Sequence, residues 1–222
     1  MSASSESNAR ARRNQLRAVP GGSGAKVPAS DEQLIEAVRR GDTRVADELY
    51  DRLVGVVDRT LFRVFGRRES DHDDLVQVSF ERVVETLSTE AFARACSLET
   101  WAASIASHVG LNALRSRRRE RRWLDRDADS EVVSERKPSH EMERSLEARS
   151  RLELLRQHLV AMKPALAEAI FLHDALGHDL AEIALMTGTS VAAAQSRLVR
   201  GRKELFRRLD RADRSTKMGR KS

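Results

Sequence analysis

Three stretches of this 222-residue sequence hold side chains of types and spacings that do chemistry. The first is a set of His-Asp pairs: His72-Asp73-Asp74, His173-Asp174 and His178-Asp179. Imidazole beside carboxylate ligates divalent metals, and such centres hydrolyse phosphate esters. The second is cationic, with Arg115, Arg117, Arg118, Arg119, Arg121 and Arg122 in one block and Arg200, Lys203 and Arg207 recurring at helical spacing further on. Clustered cations of this kind neutralise the phosphates of a polyanion. The third, TGTSVAAAQSRLVRG at 187–201, is punctuated like a helix-turn-helix, yet alanines stand where base-reading side chains are expected.

Helices must position these groups. Leu, Ala, Arg and Glu are abundant, aromatic residues make up only 4%, and strand formers do not fall into alternating runs, so the composition predicts an all-α chain. Lys+Arg 40 against Asp+Glu 34 gives a net charge of +6. That charge is unevenly placed: about −6 over 31–92, about +5 over 93–122, about −4 over 123–147 and about +7 over 200–222. Two basic blocks separated by an acidic connector suit a chain that meets a polyanion at two points. The single cysteine, Cys96, excludes an internal disulfide and a cysteine zinc site. No stretch approaches the roughly 20 apolar residues of a membrane span, and the N-terminus lacks the apolar core of a secretory signal. A cytoplasmic protein without membrane insertion, metal or cofactor is expected.

Residues 1–29, polar and containing PGGSG, are expected to form a disordered arm. A first domain of about four helices spans 30–122. Asp31 is its first N-cap, Leu49 to Phe65 form an apolar face ending at Gly66, and Ser70 caps a helix with Asp71, Asp73 and Asp74 in its first turn. Leu75, Val76, Val83, Val84 and Leu87 face that helix's core, and Ser97 begins the helix that carries the arginine block. Residues 123–147 are predicted as a flexible acidic linker. A second domain covers 148–210, with helices near 148–161, 165–175, 179–186 and 190–209, and a basic tail follows at 211–222.

In that domain Asp179 starts a short helix, TGT turns, and Ser190 caps the next. Residues placed every 100° from Val191 put Val191, Ala194, Leu198, Gly201, Leu205 and Leu209 on the packed side. Ala192, Ala193, Ser196, Arg200, Lys203 and Arg207 lie opposite, with Gln195 and Arg197 on the flanks. Small outward residues let the backbone approach a DNA groove, and the later cations meet phosphates.

Taken in order, these segments resemble bacterial RNA polymerase sigma factors of the extracytoplasmic-function group of the sigma-70 family. The motifs are DEQLIEAVRRGDTRVADELYDRLV, DDLVQVSF, LETWAASIASHVGLNALRSRRR and GHDLAEIALMTGTSVAAAQSRLVRGRKEL, and they cover roughly 31–209. The resemblance implies a protein that is not itself an enzyme: it binds core RNA polymerase, directs it to promoter DNA and helps open the minus-ten element. It implies an anti-sigma factor as a further partner. It places Asp74, Leu75, Gln77 and Phe80 against the polymerase, and Trp101, His108, Asn112, Arg115, Arg118 and Arg119 at the minus-ten strand, with a flipped-base loop near 88–98. Ser190, Ala193, Gln195, Ser196, Arg197, Arg200 and Lys203 would meet the minus-thirty-five duplex. The acidic linker would run through the polymerase.

The sequence departs from the family pattern at Val78, His108, Asn112 and Ala193-Ala194-Gln195, so no promoter sequence is carried over. Trp101, spaced with Ile105, also fits a core residue. Two rivals remain at this point. One is a helix-turn-helix regulator of the two-component output type, which needs alternating strands and helices in its first half. The other is a metal-dependent phosphohydrolase built on the His-Asp pairs.

Overall fold

Asp31 begins the first helix, α1 (Asp31–Arg39), but its carboxylate serves other elements. One oxygen accepts the backbone N–H of Leu98 at 2.9 Å, and the other pairs with Arg52 at 2.6 Å. The expected cap on its own helix is therefore corrected, because Asp31 closes the N-terminus of a helix distant in sequence. The structure, a computed structural model, describes residues 29–89, 92, 94, 96–124 and 140–219.

After a 3-10 turn at Thr43–Val45 come α2 (Ala46–Phe65), α3 (His72–Ser88) and α4 (Leu98–Leu124). The second half comprises α5 (His140–Val160), α6 (Pro164–Ile170) continued by a π-helical turn at Phe171–Ala175, α7 (Leu180–Met186) and α8 (Val191–Gly219). Every regular element among the described residues is helical, as the composition predicts.

Leu34 and Ile35 of α1, Leu53, Val57 and Leu61 of α2, Val83 and Leu87 of α3, and Leu98, Ala102 and Ala106 of α4 are buried together as the first core. Each large aliphatic side chain so placed contributes about 1.5–3 kcal/mol. The close crossing of α2 and α4 needs Gly110, where a Cβ would meet the Val64 methyls at 3.1 Å. Helix α3 starts at His72, two residues beyond the Ser70 cap that its sequence suggests. Asp71 stands at the N-cap position but makes no cap bond, because its carboxylate is held by Arg117 of α4. The expected apolar face of α3 is corrected at Val84, which is exposed; Ser79 is buried instead, its hydroxyl donating to the Leu75 carbonyl at 2.8 Å.

In the second half, Asp179 and Glu182 form a reciprocal capping box at the start of α7. Gly188, at φ +59°, turns the chain into α8, whose first N–H groups are met by the Ser190 hydroxyl at Ala193 N, 3.2 Å away. Leu172, Ile183, Ala184 and Ala194 are the core of this turn. A Cβ at Gly201 would stand 3.0 Å from Ile170, so glycine lets α8 lie directly on α6.

Three boundaries differ from expectation. Helix α4 runs on to Leu124 and α5 begins at His140, so the last residues assigned to the linker are helical; 125–139 fall outside the described residues. Helix α8 extends to Gly219 through most of the expected tail, because charged residues at i and i+4 such as Asp210 and Arg214, 2.8 Å apart, continue it. The arm at 1–28 also lies outside the described residues. Contacts divide the chain after Ser30, and Asp31–Ser222 is a single unit in which α5, α6 and the π turn pack on α4.

Candidate nucleic-acid and polymerase interfaces

The α7–turn–α8 segment presents its residues much as the periodicity predicts, with the face rotated. Ala194, Leu198, Gly201 and Leu205 are buried, whereas Val191 is 48% exposed and is corrected from a packed to a surface position. The buried line is centred about 50° from Val191, since α6 rather than the start of α8 sets the packing direction. Ala192, Gln195, Ser196, Arg200 and Lys203 are exposed, and Ala193 and Arg197 are half-buried. Arg200 donates from Nε to the Ser196 carbonyl at 3.1 Å, holding its guanidinium along the helix.

Two features of this face escape a reading of the sequence. Val199, 58% exposed beside Gln195 and Arg200, adds an apolar contact to the same face; its mismatch with the buried line is the available signal. Lys163, in the turn before α6, faces Arg197, Arg200, Lys203 and Arg207 across a groove of about 410 Å³, a juxtaposition with no local signature.

On α4, Trp101 is 7% exposed and its ring lies 4.6 Å from that of Phe92. It is a core residue that props the loop after α3, and it offers no free ring face to a base. His108 is exposed, with Nδ1 3.6 Å from Oε1 of Glu168 on α6. Asn112 accepts from Nη1 of Arg115 at 2.8 Å. Burial pushes the Arg115 guanidinium below its ordinary value, partly offset by the nearby Glu168 charge. Arg118 donates to the Gln157 carbonyl at 3.2 Å, and Arg119 is exposed.

The third face is on α3. Asp74 and Gln77 are exposed, and Gln77 is oriented by a 2.9 Å bond to Glu81. Phe80 is half-buried with its ring 4.8 Å from that of Tyr50, while Leu75 is buried beneath them.

The His-Asp pairs are otherwise engaged. His72 is 3% exposed with Nε2 2.8 Å from Asp58, Asp174 binds Arg202, and Asp179 caps α7. Among the described residues no three His, Cys, Asp or Glu side chains are grouped to hold a metal ion.

Residues 49–120 match the family model "Sigma-70 region 2", and residues 152–205 match "Sigma-70, region 4". The RNA polymerase sigma factor NccH of Alcaligenes xylosoxydans xylosoxydans is 31% identical over 183 residues, covering 80% of this chain and 94% of that protein. The chain belongs to the sigma-70 family. As a sigma factor it binds core RNA polymerase and directs promoter-specific initiation; the region 2 match removes the two-component rival, whose first half would be a receiver. Among solved structures, CnrH in complex with the cytosolic domain of CnrY is similar at 24% identity and a TM-score of 0.48, covering 82% of this chain and 98% of that one. The sigma factor RpoE in complex with the anti-sigma factor NepR from Bartonella quintana is similar at 19% identity and a TM-score of 0.42, covering 76% and 98%. No helix among the described residues of this sigma factor is long and apolar enough to cross a membrane.

Proposed function

We propose that this sigma factor works through three separate faces, with residues 30–122 serving the polymerase and the minus-ten element and 148–210 serving the minus-thirty-five element. The observation that carries the proposal is the presence of both sigma-70 regions, in order, on one chain. Asp74 and Gln77 contact the polymerase, with Leu75 and Phe80 fixing their helix. His108, Asn112, Arg115, Arg118 and Arg119 hold the displaced minus-ten strand, whose opening costs stacking energy that phosphate contacts must offset. Trp101 contributes by positioning the adjoining loop.

At the duplex, Ser190, Ala193, Gln195, Ser196 and Arg197 meet the base edges, and Arg200 and Lys203 meet phosphates. The chain acts in the cytoplasm and contributes no bond-making group, the polymerase supplying the chemistry. An anti-sigma factor, implied by the extracytoplasmic-function group, is its regulator. Reconstitution with core polymerase and run-off transcription on genomic fragments test this reading: defined start sites are expected, and failure to bind core overturns it. Asp74→Ala with Gln77→Ala is expected to weaken core binding without altering the binding of minus-thirty-five duplex.

A further inference from the structure

The tryptophan near the start of α4, Trp101, is 7% exposed and packed on Phe92, so it has no ring face to give a nucleic acid. A second tryptophan stands at the other end of the same helix. Trp123 is 72% exposed, a large aromatic surface turned to water at the end of the arginine block. It lies past the sigma-70 region 2 match, which ends at residue 120, so the family pattern does not account for it.

Its azimuth on the helix is informative. At 100° per residue, His108, Asn112, Arg115, Arg119 and Trp123 fall within an arc of about 80°. Trp123 therefore continues the stripe assigned to the displaced strand, one turn beyond Arg119. Along that stripe His108, Arg119 and Trp123 are exposed, while Asn112 and Arg115 are half-buried and bonded to each other at 2.8 Å. From His108 to Trp123 the helix rises about 22 Å, the length of about six nucleotides at about 3.4 Å each.

The ring's surroundings decide what it can meet. Arginine fills every position from 115 to 122 except Ser116 and Glu120, and the Glu120 carboxylate accepts from the Ser116 hydroxyl at 3.0 Å. Arg117 is held by Asp71 and Arg118 by the Gln157 carbonyl, whereas Arg119 and Arg121 are exposed. An indole among guanidinium groups matches a nucleic-acid strand, the cations taking phosphates and the ring taking a base. A closed duplex hides the faces of its bases, so the ring is suited to the opened strand.

We propose that Trp123 is a stacking platform for one unstacked base of the displaced strand, with Arg119 and Arg121 on the neighbouring phosphates. The ring adds to the cationic stripe a contact that only separated strands can make, so it favours the open complex over the closed one. The inference rests on the assignment of His108, Asn112, Arg115 and Arg119 to the minus-ten strand.

The test uses the full chain reconstituted with core polymerase, on a genomic fragment that gives a defined start site in run-off transcription. Trp123→Leu is expected to shorten the lifetime of the open complex under heparin challenge about tenfold, the factor that one base–aromatic stack is worth. Core binding, minus-thirty-five duplex binding and the thermal midpoint should not change, since the ring is exposed. Trp123→Phe, which keeps a ring, should restore the lifetime to within about threefold. A direct reading comes from 5-bromouracil placed at each position of the melted stretch in turn. Irradiation should cross-link one position to Trp123, and the cross-link should vanish in Trp123→Leu. An unchanged lifetime, or cross-linking confined to other residues, overturns the platform. Weaker core binding by Trp123→Leu would assign the ring to the polymerase and overturn it equally. A parent protein that binds core and initiates while Trp123→Leu behaves identically faults this inference alone; a parent that gives no defined start site faults the functional reading beneath it as well.

Discussion

The guanidinium of Arg156 occupies the space beside Gly66 that a side chain there would fill, while its Nε donates to the carbonyl of Val64 at 3.1 Å. Gly66 also has φ +75°, so the same residue ends α2 and seats an arginine from the second half. Gly41, at φ +71°, has nothing within 4 Å of its missing Cβ and serves as a control.

Gly41→Ala is expected to cost about 1 kcal/mol through backbone strain alone. Gly66→Ala should cost more, since it also displaces Arg156. In an Arg156→Ala background the excess should vanish, as a double-mutant cycle on thermal unfolding will show. Persistence of the excess would mean that Arg156 has no energetic tie to Gly66.

Arg200→Ala with Lys203→Ala should weaken duplex binding at all promoter sequences and lower the slope of log K against log salt by about 2, one for each phosphate left without its cation. Fluorescence titrations from low to moderate salt measure both. A change of sequence preference at constant slope would assign these residues to base edges.

Gln195→Ala should behave oppositely. A bidentate amide contact to adenine discriminates by about 1–3 kcal/mol, so its removal should relax preference at one base position and leave the salt slope unchanged. Selection from a randomised minus-thirty-five duplex is the measurement.

His158 lies at the end of α5 with Nε2 buried and unpartnered. Burial, then the nearby Arg208 and Arg118, hold it below the ordinary histidine value. The unfolded chain therefore takes up a proton more readily than the folded one. Stability should be full above the ordinary value of about 6.5 and decline as pH falls through it. His158→Gln should flatten the thermal midpoint between neutral and mildly acidic pH; an unchanged profile would remove His158 as the cause.

The helix-turn-helix was legible in the sequence because its signals are local. Asp179 and Glu182 close a capping box three residues apart, Gly188 supplies the left-handed turn, and Ser190 meets Ala193 N within one helical turn. Ser97 gives the same kind of local signal at the start of α4, its hydroxyl accepting from Thr100 N at 3.1 Å. Where a local signal failed, a distant partner had claimed the residue. Asp31 is held by Leu98 and Arg52 and does not act as the expected cap, and Asp71, which stands at the N-cap position in place of the expected Ser70, is held by Arg117.

Periodicity alone determined that α8 has one packed and one outward side, because a helix of fixed pitch must sort its residues that way. It did not determine which azimuth faces inward, since that depends on Ile170 and Leu166 of α6 meeting Gly201. The order of the motifs likewise determined the family. Only the tertiary structure decided that Arg63, Arg118 and Arg156 join the two halves, because their acceptors are backbone carbonyls, which every residue possesses and no sequence pattern marks.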